Sequence, residues 1–394
     1  MRIAIIFLVC TILTGCAQRS SKGSFIEPAM EVAVYQLEAA IAHIPDTMEN
    51  YGPVALHDDG SVKYMRNVLD WRVGFFPGSL WYLYDYTRDE QWKQFAERFT
   101  LDIEEAKYNT RHHDVGFMIE CSFGNGYRLT KNDHYKDVMI EAARSLSTRF
   151  DPRVGAIMSW SPNVKLDRQY PVIIDNMMNL ELLFNVTELT GDSTFYNIAV
   201  SHADIAIRDH YRPDYSCYHV VDYDSITGEV RSRKTAQGYA DESSWARGQA
   251  WGLYGFAMCY RETGYERYLE QAEHIANWWL TQATMPEDGV PYWDFDAPNI
   301  PDEPRDASAA AIAASAFLEL ASFNTERSDE YLKVAEKTLA SLASPAYLAE
   351  PGENGYFILK HSVTSFPGNS EIDVPLNYAD YYFLEALLRY QKMM

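Results

Sequence analysis

The chain predicts an all-α fold, an (α/α)6 barrel of six inner and six outer helices. Two observations carry that prediction. First, one punctuation recurs five times: TRDEQWKQFA at Thr87, TKNDHYKDVM at Thr130, TGDSTFYNIA at Thr190, TGYERYLEQA at Thr263 and TERSDEYLKVA at Thr325. Each has Thr, polar turn residues, then an aromatic with apolar positions at helical spacing, the signature of a helical hairpin joint with an N-cap signal. Second, the segments on the two sides of each joint differ in character. Those before it (74–86, 116–129, 176–189, 246–262, 307–323) are rich in Gly, Ala and aromatics, whereas those after it are amphipathic and charged. A helix apolar all round is buried, and one with a charged face lies at the surface.

Taken in order, 28–44 supplies an opening surface helix and 375–390 a closing buried one, completing six of each kind. Small residues in the fifth inner segment, Ala309-Ala310-Ala311 and Ala313-Ala314, permit the close approach of an inner ring. No β-rich region stands out, so 27–394 reads as one domain. An open helical solenoid fits less well, because the loops between hairpins are long and chemically busy. In a barrel those loops gather at one end over the inner helices.

The 394 residues are 47% hydrophobic and 14% aromatic, with 28 Tyr and 9 Trp. Tyr and Trp pair a flat apolar face with a polar edge, which suits sugar rings as well as a core. The net charge of −22 argues against nucleic acid as a partner, since no basic excess exists to release phosphate counterions. An anionic ligand would have to be held by a few local cations. Cys121, Cys217 and Cys259 are scattered through the body and match no zinc spacing, so they read as buried thiols. Neither a metal nor a cofactor is implied. His112 and His113 are adjacent, which does not suit chelation, and the glycines at Gly124 and Gly126 read as close helix packing rather than a phosphate loop.

The N-terminus, MRIAIIFLVCTILTGC, joins a short basic region to an apolar stretch too short for an ordinary membrane span. Its ending, Leu13-Thr14-Gly15-Cys16, resembles a bacterial lipobox. A signal peptide over 1–16, lipidation at Cys16 and a small polar tether over 17–26 are expected. The implied location is the cell envelope, on an outer-membrane anchor facing the periplasm.

The stretch YPVIIDNMMN delivers Asp175 from an apolar run to the start of the third inner segment. Asp114, in RHHDVGFM, stands at the start of the second. Each reads equally as a helix N-cap or as a working carboxyl group in an apolar setting. If inner helices are neighbours, both carboxyls face one cavity. Two carboxyls in one enclosed site push their pKa values apart, leaving one protonated near neutrality. An acid beside an aromatic-lined pocket is what glycoside chemistry uses.

HHDVGFM and YPVIIDNMMNLELL, followed by Tyr218-His219, GYADESSWARGQAWGLYG and PRDASAAAIAASAFLEL, together resemble the unsaturated glucuronyl hydrolases of glycoside hydrolase family 88. The resemblance runs in order from about Trp71 to the C-terminus. It implies action on the 4,5-unsaturated uronic acid that polysaccharide lyases leave at a non-reducing end, by hydration of the C4=C5 enol ether. The aspartate matching Asp175 then acts as acid toward C4 and as base toward the water adding at C5. The one matching Asp114 assists and stabilises charge. Trp71, Trp160 and Trp251 match aromatics that pack on the unsaturated ring, with Phe75 and His113 counted beside them. His219, Gln237 and Arg247 match positions that contact its carboxylate or hydroxyls or place the water.

From the residues alone, Arg247 offers a bidentate fork for a uronate, or a partner for Asp241 or Glu242. Asp306 reads as a cap of the fifth inner helix. The Lys360-His361-Ser362 stretch matches a loop used near the leaving sugar, and Lys360 with His361 would be within reach of a sulfate. Three alternatives stay open: an unsaturated rhamnogalacturonyl hydrolase acting on pectin fragments, an inverting glycosidase with two carboxylates, and a non-catalytic glycan-binding lipoprotein.

Overall fold

The computed structural model describes residues 23–45 and 51–394. Cys16 and the leader lie outside the described residues. Six hairpins form the body. Outer helices are α1 (Ile26–His43), α3 (Glu90–Asp102), α5 (Asp133–Ser147), α7 (Ser193–His210), α9 (Glu266–Thr281) and α11 (Ser328–Leu342). Inner helices are α2 (Phe75–Thr87), α4, α6 (Leu180–Thr190), α8 (Ala246–Thr263), α10 (Ala307–Ser322) and α12 (Asn377–Met393). Helix α4 is Val115–Ile119 and Asn125–Thr130 joined by a π turn at Glu120–Gly124. Each inner helix packs on the next, and α12 packs on α2, so the ring closes. The expected barrel is therefore the observed fold, and the solenoid alternative falls. Helix α1 starts at Ile26, and Phe25 stacks on Tyr390 at 5.7 Å. The stretch read as a tether thus ends short of Ile26.

The joints show why the punctuation recurs. Thr87, Thr130, Thr190 and Thr263 are the last residues of inner helices, not caps of the outer ones. Each hydroxyl donates back to the carbonyl four residues earlier, at 2.7–2.8 Å. Each also accepts the N–H two residues on, at 3.1–3.3 Å. The residue after each Thr turns left-handed: Arg88, Lys131, Gly191 and Gly264 have φ of 58°, 56°, 74° and 67°. In the first three joints Asp89, Asn132 and Asp192 then cap the outer helix. This combines a left-handed C-cap with an N-cap in three residues.

The core occupies the space within and between the two rings. The inner helices are buried almost throughout, and α10 is buried from Ala307 to Ala321. At the N-terminal ends of the inner helices short strands elaborate the loops. Strand β1 (Pro53–Leu56) pairs with β2 (Val62–Tyr64), and β3 (Phe150–Asp151) with β4 (Ala156–Ile157). A three-stranded antiparallel sheet runs β5 (Tyr170–Ile173), β6 (Val220–Tyr223), β7 (Val230–Lys234). Strands β8 (Ser362–Ser365) and β9 (Ser370–Val374) form a last hairpin. None of the described helices is long and apolar enough to cross a membrane.

Candidate active site

Strand β5 aims Asp175. Its register on β6 sets Ile173 opposite Val220, and the Ile174 N–H donates to the His219 carbonyl at 3.1 Å. The chain then enters a 3-10 turn, Ile174–Asn179, before α6 begins. Asp175 is therefore not the cap of α6: that position is Asn179, and the Asp175 side chain accepts no cap hydrogen bond. Its carboxyl is buried, and Oδ2 has no hydrogen-bond partner among the described residues. Burial is the main cause that pushes its pKa up to about 7; the Arg247 charge opposes the rise and the Asp114 charge adds to it.

His219 presents Nε2 to Asp175 Oδ2 at 3.7 Å. Its Nδ1 accepts the backbone N–H groups of Ala236 at 3.1 Å and Gln237 at 3.2 Å. Two donors on Nδ1 assign the ring proton to Nε2, on the Asp175 side. Burial, aided by the charge of Arg247, holds His219 well below its ordinary pKa, so the ring is neutral.

Asp114 flanks the start of α4 but caps nothing with its side chain. Instead it meets His112 Nδ1 at 2.9 Å and His113 Nε2 at 3.3 Å. Burial raises its pKa, but the two histidines and Arg149 outweigh that and hold it below the ordinary value. His113 is itself pushed down to about 4, first by burial. The positive charge beside Asp114 is thus carried by His112. Burial works against His112, yet the Asp114 contact and the Leu69 carbonyl, 3.0 Å from Nε2, raise it overall. Asn179 locks the pair of helix starts: Oδ1 accepts the Phe117 N–H at 2.8 Å, and Nδ2 lies 3.1 Å from His113 Nδ1. Gly116 is required there, because a Cβ would stand 2.5 Å from Asn179 Cβ. The two helix starts thus bring an ionised Asp114 and a protonated Asp175 to one end of the barrel.

Aromatic rings line this end. Trp71 meets Phe117 at 5.8 Å and Tyr378 at 5.1 Å, and Phe117 meets Trp251 at 5.3 Å. Trp160 stands edge-on to His219 at 6.1 Å. Trp71 and Trp160 are half-buried, whereas Phe75 and Trp251 are fully buried. Phe75 lies behind Trp71 at 5.7 Å, which corrects its expected place at the cavity surface. Trp251 faces inward, and its indole nitrogen acts on Asp175 while making no regular hydrogen bond. Tyr378, Phe117 and Trp245, the last 4.5 Å from His219, are additions the sequence did not single out. All three sit beside residues that it did.

Arg247 departs from expectation. It is buried; Nη1 donates to Asp306 Oδ2 at 3.0 Å and to the Val363 carbonyl, and Nη2 to the Thr364 carbonyl at 2.7 Å. Its fork is committed to α10 and β8, not to Asp241 or Glu242. Asp306 does cap α10, through Ser308 N–H at 3.0 Å. Gln237 Nε2 joins Arg247 on the Thr364 carbonyl at 2.8 Å. Both residues therefore position the β8–β9 hairpin beside the cavity. His361 pairs with Asp373 at 2.7 Å, and Lys360 donates to the Pro345 carbonyl at 2.7 Å.

A cavity of about 570 Å³ opens at the other end of the barrel. Of the charges lining it, Arg261 and Arg389 both pair with Glu319 at 2.6 Å, while Glu120 Oε2 has no partner among the described residues. Unpartnered buried polar atoms gather instead around Asp175: its Oδ2, His219 Nε2, His113 Nε2, Asn176 Oδ1 and Trp251 Nε1. Such groups are costly in a fold unless something else engages them, which makes the Asp175 end the candidate site. Among the described residues no group of His, Cys, Asp and Glu is placed to hold a metal ion.

Known proteins resemble this chain along most of its length. An unsaturated glucuronyl hydrolase of Formosa agariphila is 48% identical over 326 residues, 82% of this chain and 81% of that one. A solved unsaturated glucuronyl hydrolase described as specific for heparin superposes with a TM-score of 0.90 at 45% identity, covering 94% of this chain and 97% of the other. A variant of the Streptococcus agalactiae enzyme, solved with dGlcA-GalNAc6S, gives a TM-score of 0.81 at 31% identity over 95% and 94% of the two chains. The model of Glycosyl Hydrolase Family 88 matches residues 45–392, and the chain belongs to that family of glycoside hydrolases.

Proposed function

We propose that this enzyme removes the 4,5-unsaturated uronic acid from the non-reducing end of lyase-generated glycosaminoglycan oligosaccharides by hydrating the C4=C5 enol ether. The observation that carries the proposal is the state of Asp175: a buried carboxyl, protonated up to about pH 7, with one oxygen free of protein partners. Protonating an alkene carbon needs a well-placed acid of this kind. The similarity to enzymes named for unsaturated glucuronyl and chondroitin disaccharide hydrolysis supports the same substrate class.

In the proposed reaction Asp175 gives its proton to C4, and positive charge develops at C5 and the ring oxygen. Asp114, held ionised by His112, stabilises that charge. The Asp175 carboxylate takes a proton from water as the water oxygen bonds to C5, which regenerates the acid. The resulting C5 hemiketal opens to a ketone. This leaves C1 as a hemiacetal, which collapses to an aldehyde and expels the neighbouring sugar. His219, neutral with Nε2–H toward Asp175, offers a donor to the carboxylate as its anionic form develops.

Incubation with an unsaturated disaccharide tests the proposal. Loss of the double bond's ultraviolet absorbance should keep pace with release of the second sugar. Release of a uronic acid that keeps its C4=C5 double bond and its absorbance would instead favour ordinary two-carboxylate hydrolysis at C1.

The lipobox-like ending at Cys16 places the enzyme, in this reading, on a lipid anchor in the cell envelope, facing the periplasm. Replacing Cys16 by Ser should move it from the membrane to the soluble fraction of an expressing bacterium; an unchanged distribution would remove the anchor.

A further inference from the structure

The site needs a cation for an anionic substrate, yet the expected one, Arg247, is committed to Asp306 and two carbonyls. Three other cations at this end of the barrel are committed too. Arg72 pairs with Asp70 and Glu371, Arg149 donates to the Met158 and Thr110 carbonyls, and His361 faces Asp373. Arg168 is different. Among the described residues its guanidinium has neither a carboxylate partner nor a hydrogen-bond acceptor. It lies over the ring of Trp160, 4.7 Å from the ring centroid.

Arg168 is also fixed in place. Backbone hydrogen bonds of 2.9 and 3.0 Å with Asn163 close its loop. Asp222 Oδ1 accepts the next two N–H groups, Gln169 at 2.9 Å and Tyr170 at 3.0 Å. Arg231 bridges Asp167 at 2.8 Å and Asp222 at 2.5 Å. Asp222 is the carboxylate whose charge Arg168 feels, and it is already saturated by Arg231 and those two N–H groups. In a chain with 56 acidic and 34 basic residues, a half-buried guanidinium left without an anion has lost water with no partner in return. From Trp160 the path to the chemistry is short: Trp160 abuts His219, and His219 faces Asp175. The Arg168 charge itself reaches His219.

We propose that Arg168 binds an oxyanion of the oligosaccharide, a sulfate ester or a uronate carboxylate, on the sugar lying against Trp160. The fork geometry and delocalised charge of a guanidinium suit either group. The assignment rests on the reading above that unsaturated uronate oligosaccharides are the substrates.

The test compares wild type, Arg168→Lys and Arg168→Met on unsaturated disaccharides that are unsulfated or carry one sulfate on either ring. Arg168→Met should raise KM about tenfold with kcat little changed, the mark of lost ground-state binding, and Arg168→Lys should recover part of the loss. A rise confined to one sulfated substrate identifies the sulfate ester, whereas an equal rise on all identifies the uronate carboxylate. KM unchanged in Arg168→Met on every substrate, or Arg168→Lys no better than Arg168→Met, would overturn the assignment. Wild-type inactivity on every disaccharide would instead overturn the underlying substrate reading.

Discussion

His219 holds its Nε2 3.7 Å from Asp175 Oδ2 while two backbone N–H groups occupy its Nδ1. The two N–H groups fix the tautomer of His219. A neutral imidazole gives Asp175 a donor but no positive charge, so burial keeps the carboxyl protonated until substrate arrives.

One prediction follows for pH. With Asp175 pushed up to about 7, kcat/KM should fall as pH rises through about 7, approaching tenfold per pH unit beyond it. A pH–rate profile of the free enzyme checks this.

Asp114 should set where that limb lies. Its negative charge is one cause of the raised Asp175 pKa, so Asp114→Asn should move the alkaline limb to lower pH. It should also lower kcat by about 10²-fold or more through lost charge stabilisation. A profile that keeps its limb while losing rate would show that the two carboxyls do not interact.

Asp175→Asn should lower kcat about 10³-fold or more and alter stability in a pH-dependent way. The carboxyl's folded pKa of about 7 exceeds its reference value of 3.8. Between those values the native state binds the extra proton, so wild-type stability declines with rising pH, by at most about 4 kcal/mol in total. The amide of the variant does not titrate and shows no such decline. The melting-temperature advantage of Asp175→Asn should therefore be small near pH 4 and grow until about pH 8.

Arg247 and Asp306 form a buried pair at 3.0 Å. Asp306→Ala should cost about 3–5 kcal/mol in denaturant unfolding, because the guanidinium stays buried without its carboxylate. Replacing both, as Arg247→Met with Asp306→Leu, should recover much of that stability. Turnover should stay low, since the guanidinium that held Val363 and Thr364 is gone.

The barrel was legible because its signals are local. Inner helices such as α10 are apolar on every side, and the threonine joints repeat a chemistry confined to a few residues. The capping reading of Asp175, one of the two left open, fails for a local reason as well. A 3-10 turn over Ile174–Asn179 has the same composition as a helix start, and periodicity over so few residues does not separate them. Other features depend on distant pairing. Arg247 meets Asp306 and Thr364, residues 59 and 117 positions away, so its role in holding β8 has no trace in the surrounding motif. Arg168 was passed over because a lone arginine in a polar loop is commonplace. Its place beside Trp160, with no carboxylate paired to its guanidinium among the described residues, sets it apart. Phe75 shows the opposite limit: a motif neighbour of Trp71 that the fold turns into the core.

Turnover of an unsaturated disaccharide in D₂O, followed by proton NMR, puts hydration to its sharpest test. If Asp175 delivers the proton, the C4 alkene signal disappears as C4 gains a deuteron, at the rate at which the second sugar is released, and Asp175→Asn stops both together. Release of the second sugar with the C4=C5 double bond intact in the freed uronic acid would contradict this.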